Sequence, residues 1–270
     1  MKKNNDIIVC YLFTKFDKLS SLLNFIRNYS NYNSGLNHKL VICFKLIQDY
    51  QIKKISNKLR NIRYIPFIDD FPLNDYDFGS YKRVAQKYHS NNILFLNSHS
   101  YPNTDFWLSK LLKHYKNKTL IATSASYESL YSSLKLKKFY KIFSFLIKKI
   151  DYKNKFYPFP NPHIRTANFF IKGSDFLMYV KNKKILNKED AWQIESGKNS
   201  LTNYFIKKNF KIFIVNSDGN KFTLDKCKFS ETFNYKKQKK TIISDKHTRK
   251  YLKLTNLKKK VFEYNTWGLD

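Results

Sequence analysis

The chain has 270 residues, 42% of them hydrophobic and 17% aromatic. That is enough for one large core or two small ones, and it excludes a disordered tail. The formal net charge is +31, yet only six of the 51 cationic residues are arginine and the lysines are spread along the chain. Phosphate and nucleic-acid grips favour the planar arginine fork, so no specific nucleic-acid partner is expected. The charge would still attract anionic lipid surfaces and phosphorylated ligands.

In chain order, residues 6–13 read as a buried first strand rather than a signal peptide, because the apolar run is short and lacks a small-residue cleavage site. Residues 17–29 carry a helical apolar stripe, and residues 39–44 form a second buried strand. A polar helix over 51–60 and a third strand over 62–65 follow. Next come a helix opened by Gly79 and Ser80, an apolar strand over 93–96, a helix over 103–116 and a strand over 119–124. Strands alternating with helices at this spacing predict an α/β fold, a mainly parallel sheet with helices on both faces.

Residues 130–150 are apolar and basic together. Because the apolar positions cover more than one face, a helix packed on the domain is the favoured reading; the alternative is a helix lying on a membrane surface. After a Pro-rich turn over 156–162, a strand is expected over 167–171, a short helix capped by Ser174, and largely helical chain over 188–208 broken by Gly197. A strand over 211–215, a turn over 217–220 and a last helix over 243–254 complete the reading. No run is long and apolar enough to predict a transmembrane helix. Cys10, Cys43 and Cys227 have no disulfide or zinc spacing, and Cys10 and Cys43, inside apolar strand-like runs, read as core residues of a reducing compartment.

The strand over 93–96 ends in the polar cluster Asn97-Ser98-His99-Ser100. Ligands of open α/β sheets bind just past the carboxyl ends of strands, so this tip is the candidate site; a capped turn of ordinary Asn and Ser residues is the competing reading. Asp69, Asp70, Asp75 and Asp77 crowd the loop before the Gly79 helix, where they suit either a ligand or the helix dipole.

The order Asp77-Phe78-Gly79-Ser80-Tyr81, Ile93-Leu94-Phe95-Leu96, Trp107-Leu108, then the segment from Pro160 to Thr166, then Glu195-Ser196-Gly197, resembles the GT-A fold nucleotide-sugar glycosyltransferases, near glycosyltransferase family 2. The likeness spans roughly residues 6–213. It implies a single Rossmann-like domain over 1–270, with a nucleotide-binding half of about 1–125 and an acceptor half of about 126–270. The implied activity is transfer of a sugar from a nucleoside diphosphate sugar to a carbohydrate or lipid-linked glycan acceptor. The implied place is the cytoplasm, at the inner face of a membrane in peripheral contact with it. The alternative is a catalytically inactive nucleotide-sugar-binding or scaffolding protein of polysaccharide assembly.

The resemblance also implies roles for residues. Asp77, Gly79 and Ser80 would lie beside the nucleoside or donor sugar, and Asn97, Ser98 and His99 beside the diphosphate. Glu195 would be the base of an inverting reaction, with Asp190 of the Glu189-Asp190 pair second. Arg165 would meet phosphate or pair with Glu195. His247 and Arg249 would supply positive charge near the C-terminus. The family's Mg²⁺ or Mn²⁺ is held by a DxD tip, but here the tip is Asn97-Ser98-His99. Asn is a weaker ligand for hard cations and His99 prefers softer metals. Either the metal is bound weakly or cationic side chains take its place.

Overall fold

The computed structural model describes residues 7–136 and 138–268. Asp6, expected to open the first strand, lies outside them, as does Lys137. The strands are β1 (Ile7–Thr14), β2 (Lys39–Lys45), β3 (Ile65–Asp69), β4 (Asn92–Leu96), β5 (Tyr101–Pro102), β6 (Thr119–Ala122), β7 (Ala125–Ser126), β8 (His163–Ile164), β9 (Asn168–Lys172), β10 (Lys211–Val215), β11 (Lys221–Phe222) and β12 (Ile243–Ser244). The α-helices are α1 (Leu19–Asn31), α2 (Asp49–Lys58), α3 (Tyr76–Lys87), α4 (Trp107–Leu112), α5 (Ile142–Lys155), α6 (Gly173–Val180), α7 (Lys188–Ser196), α8 (Leu201–Lys207), α9 (Lys246–Leu252) and α10 (Asn256–Trp267).

Eight strands form one sheet in the order β11-β10-β6-β9-β4-β1-β2-β3. The pairs β1–β2, β1–β4, β2–β3 and β6–β10 are parallel, whereas β9 runs antiparallel between β4 and β6. Alternation along β1 explains why the sheet is covered twice. Ile8, Cys10 and Leu12 join α3, α6, α7 and α8 in one core, while Val9, Tyr11 and Phe13 join α1, α2 and α4 in another. All three cysteines are buried and free, Cys10 and Cys43 as their apolar runs suggest.

Several boundaries differ from the sequence reading for identifiable reasons. The third strand lies at 65–69 rather than 62–65: it is an edge strand, largely exposed and carrying Pro66, so its pattern is weak. Ser174 does not cap α6. That helix starts at Gly173, whose missing side chain lets it lie against the Tyr88 carbonyl, where a Cβ would come within 2.6 Å. The expected last helix over 243–254 opens instead as β12, which pairs with β5, and Asp245 then caps α9. The helix near 103–116 shrinks to α4, and Asp105 accepts a hydrogen bond from the Asn33 N–H at 2.9 Å, tying it to the end of α1.

Beneath α3 lies a closed set of charges. Arg83 bonds Asp69 through Nε at 2.5 Å and Asp75 through one terminal nitrogen at 2.6 Å. Lys45, fully buried at the end of β2, pairs with Asp75 and donates to the Tyr76 carbonyl at 2.9 Å. Ser80 Oγ adds a 2.5 Å bond to Asp69. Burial raises the Asp75 pKa, but the hydrogen bonds and charges of Arg83 and Lys45 outweigh it and hold the carboxyl below its ordinary value. A side chain at Gly79 would overlap the Asp75 carboxylate, so glycine is required there. Two cations balance two anions, and removing one leaves charge stranded in the interior. Arg83→Met should therefore cost about 3–5 kcal/mol in a urea unfolding series; a loss below about 1 kcal/mol, the range of exposed ion pairs, would contradict the network's role.

Candidate functional site

The polar tip after β4 is built by bonds from three other elements. Tyr11 of β1, stacked on Phe25, donates its hydroxyl to the Ser98 carbonyl at 2.5 Å. Ser98 Oγ donates to Asp17 Oδ1 at 2.8 Å, and His99 Nε2 lies 3.6 Å from the same oxygen. The other Asp17 oxygen accepts from the Thr14 N–H and hydroxyl, fixing the turn after β1. Asn97 Oδ1 accepts from the His99 N–H and from Ser100 Oγ, so the turn consumes its oxygen. From the C-terminal side, Arg249 donates to the His99 carbonyl at 2.9 Å and lies over the Tyr101 ring at 4.5 Å. The β5–β12 pair carries α9 to this position. An open recess of about 400 Å³ borders Asp17 between α1 and α2, lined in part by Phe13, Lys15, Tyr50 and Lys54. Its size suits a small ligand.

Two further carboxylates lie in the electrostatic neighbourhood of Asp17. Asp77, in the first turn of α3, is partly exposed yet closely surrounded by protein. Burial, then the nearby Asp17 charge, push its pKa up to about 6; Lys45 opposes this and Glu195 adds to it. Asp17, Asp77 and Glu195 thus share one electrostatic neighbourhood. Glu195 lies in the last turn of α7, which stops at Gly197 before Ser200 caps α8. It therefore closes a helix, at the break that Gly197 marks in the sequence. Glu195 Oε1 accepts the backbone N–H of Thr166 at 3.0 Å, just before β9. This bond orients the carboxylate and leaves its second oxygen free of described hydrogen bonds.

Arg165 pairs with Asp245 at 2.7 Å and lies 3.7 Å over the Phe233 ring, so its ion pair is with Asp245 and not with Glu195. Burial would raise the Asp245 pKa, but Arg165 and the Thr248 N–H hold it below its ordinary value. His99, His163 and His247 all have pKa values lowered chiefly by burial, so they favour the neutral form. Lys246 and Arg249 both act on His99, and His247 feels Arg165, Asp245 and Glu195. The cationic segment 246–249 therefore borders the tip on one side and Glu195 on the other.

The structure brings Asn97, Ser98, His99, Asp77, Glu195, Arg165, His247 and Arg249 around one region. Gly79 and Ser80 belong instead to the charge network beneath α3. Asp190 accepts the Leu186 and Asn187 N–H groups and completes the capping box of α7, while Glu189 pairs with Lys155 at 2.5 Å. Asp17 and Asp245 escaped the sequence reading. Asp17 carries the signal of a carboxylate just beyond a buried strand; Asp245 becomes legible only when β12 is seen to end the helix pattern.

The tip does not fit a hard divalent cation. Its Asn97 oxygen is committed to the turn, its Ser98 hydroxyl is committed to Asp17, and no carboxylate stands on it. Among the described residues, no group of three or more His, Cys, Asp or Glu side chains is placed to hold a metal ion.

No protein-family model and no curated protein matches the sequence. Solved structures are similar in fold. A structure of GalNAc-T7 with UDP, GalNAc and Mn²⁺ is 14% identical, with a TM-score of 0.50 over 80% of this chain and 43% of that one. The apo form of the glycosyltransferase GlyE of Streptococcus pneumoniae TIGR4 is 11% identical, with a TM-score of 0.41 over 76% and 44% of the two chains. The mannosyltransferase PcManGT of Pyrobaculum calidifontis, in complex with GDP-Man and Mn²⁺, is 6% identical, with a TM-score of 0.41 over 70% and 51%. This chain thus spans about half the length of these structures or less. The first likeness gives the fold its class: a GT-A-type, Rossmann-like α/β fold.

The Asp77 environment has a pH signature. Its folded pKa of about 6 lies above the ordinary 3.8, so the folded state keeps this proton longer than the unfolded chain. Stability should fall as pH rises from about 4 to about 6, by on the order of 2–3 kcal/mol relative to Asp77→Asn. Urea melts of both proteins across that window measure the difference, and parallel profiles would contradict the assignment.

Proposed function

We propose that the chain is a glycosyltransferase that moves a sugar from a nucleoside diphosphate sugar to a carbohydrate or lipid-linked glycan acceptor, with inversion at the anomeric carbon. The observation that carries this reading is the Glu195 carboxylate, held through one oxygen by Thr166 and open through the other, in the electrostatic neighbourhood of Asp77 and His247. A base must be oriented and within reach of the proton it takes.

In this reading residues 1–270 act as one domain. Residues of about 1–125 receive the nucleotide, with the recess beside Asp17 for the nucleoside and Asp77 for a hydroxyl or amide donor. Residues of about 126–270 receive the acceptor. Glu195 takes the proton of the acceptor hydroxyl as its oxygen bonds to the anomeric carbon. The bond from that carbon to the diphosphate oxygen breaks, and its electron pair leaves with the nucleoside diphosphate. Lys246 and Arg249 would offset the charge that develops on the leaving group, with neutral His247 beside them, and the Asn97 amide and Ser98 backbone add polar contacts. Arg165, paired with Asp245, positions this segment. In this reading the reaction takes place in the cytoplasm.

A scaffolding protein that binds the donor without reacting is the second reading, favoured by the absence of carboxylates from the tip. The two differ in what the pure protein does to a nucleotide sugar. Glu195→Gln should lower transfer or donor hydrolysis about 10²–10⁴-fold without changing the unfolding midpoint by more than a small amount. Full activity in a folded Glu195→Gln protein would remove Glu195 from the reaction, and no turnover by the wild type across donor panels would favour the scaffold.

A further inference from the structure

The helix α5 is not packed as a core helix. Phe143, Leu146, Ile147 and Ile150 are spaced i, i+3, i+4 and i+7, which puts them on one face, and all four are exposed, Phe143 to 79%. The contacts with the protein come from the opposite side, where Tyr152 is buried and Phe145 is half-buried. Phe139 and Tyr140, in the turn that leads into α5, extend the apolar surface and are exposed at 83% and 72%. The favoured sequence reading, a helix packed on the domain with its lysines in water, is therefore incomplete: the apolar stripe is in water as well. Contiguous exposed apolar surface of this kind marks an interaction site.

We infer that α5 docks in the interface of an anionic lipid bilayer. Charge selects this occupant. Residues 134–155 contain eight lysines and one acidic residue, Asp151, which is paired with Lys155 at 2.7 Å. A second copy would set this positive charge against itself, whereas anionic headgroups neutralise it. Aromatic and aliphatic residues on one face with lysines beside them match the pattern of helices that lie in the interface plane. At 14 residues the helix is about 21 Å long, too short to cross a hydrocarbon core of about 30 Å. Among the described residues no helix is long and apolar enough to cross a membrane.

The docked helix would be joined to the candidate site. Its last residue, Lys155, pairs with Glu189 and accepts the Lys198 N–H at 2.8 Å, and Phe156 bridges to Gly197, two residues beyond Glu195. Docking would hold the acceptor side of the site near the headgroups, where a lipid-linked glycan is presented. That last step rests on the proposed function; the docking itself does not.

Co-sedimentation of the full chain with vesicles tests it. The wild type should bind phosphatidylcholine vesicles containing about one third phosphatidylglycerol, and the double variant F143S/I147S should bind about tenfold or more weakly with its charge unchanged. Tryptophan placed at the stripe by Phe143→Trp should shift its emission to the blue on adding those vesicles. Equal binding by wild type and F143S/I147S would overturn the proposal, because the attraction would then be bulk charge. Absence of binding, or of the emission shift, would also overturn it. So would a lipid-free dimer in sedimentation velocity that the double variant dissolves. None of these readouts depends on nucleotide or turnover, so they fail separately from the glycosyltransferase reading.

Discussion

The site depends on four charges, two buried and two partly buried, that close on one another. Lys45, Asp69, Asp75 and Arg83 come from the ends of β2 and β3 and from the start and body of α3. Each alone would be costly to bury; together, with Ser80 and the Tyr76 carbonyl, they satisfy the geometry a buried pair needs. Their consequence is positional. Asp77 lies two residues from Asp75 and in the same helical turn as Tyr76, so the network fixes the direction from which its carboxylate meets the Asp17 and Glu195 charges. The elevated pKa of Asp77 follows from that placement: the Lys45 charge favours its ionised form but does not outweigh burial and two neighbouring carboxylates.

Around that fixed point the site is assembled from segments far apart in sequence. The β1–β4 pair sets Tyr11 beside Leu96, and the Tyr11 hydroxyl reaches on to Ser98. Strand β9, antiparallel between β4 and β6, delivers the Thr166 N–H to Glu195. The β5–β12 pair returns the C-terminal chain so that Arg249 can bond to the tip. The cationic segment 246–249 then lies beside the polar turn, and His247 within it feels the Glu195 charge. In the proposed reaction that arrangement would lower the energy of a departing diphosphate while a proton is taken from the attacking group.

Much of this frame is legible in the sequence because buried parallel strands leave a strong mark. The apolar run before Asn97 announces both a central strand and its polar end, and Lys211–Val215 stands where expected. Glu195 is legible as a candidate through the resemblance, and so is the break at Gly197, though not that Ser200 caps a second helix there. What stays hidden involves partners distant in sequence. Lys45 looks like a plain strand ending until Asp75 is seen to meet it. Gly79 resembles a ligand-binding glycine, yet its missing side chain makes room for a carboxylate of its own chain. The stripe on α5 has the period of a packed helix, and period alone does not say whether the protein or something outside it covers that face.

The central claim is that charge from the C-terminal segment, rather than a metal on the tip, meets the diphosphate. Titration of nucleoside diphosphates into the pure protein, followed by its thermal unfolding midpoint with Mn²⁺ and with chelator, tests it most directly. The account predicts stabilisation by UDP or GDP that chelator leaves unchanged and that Arg249→Met weakens by about tenfold or more in affinity, as loss of a charge-assisted contact should. Stabilisation that requires Mn²⁺ and disappears with chelator would contradict it.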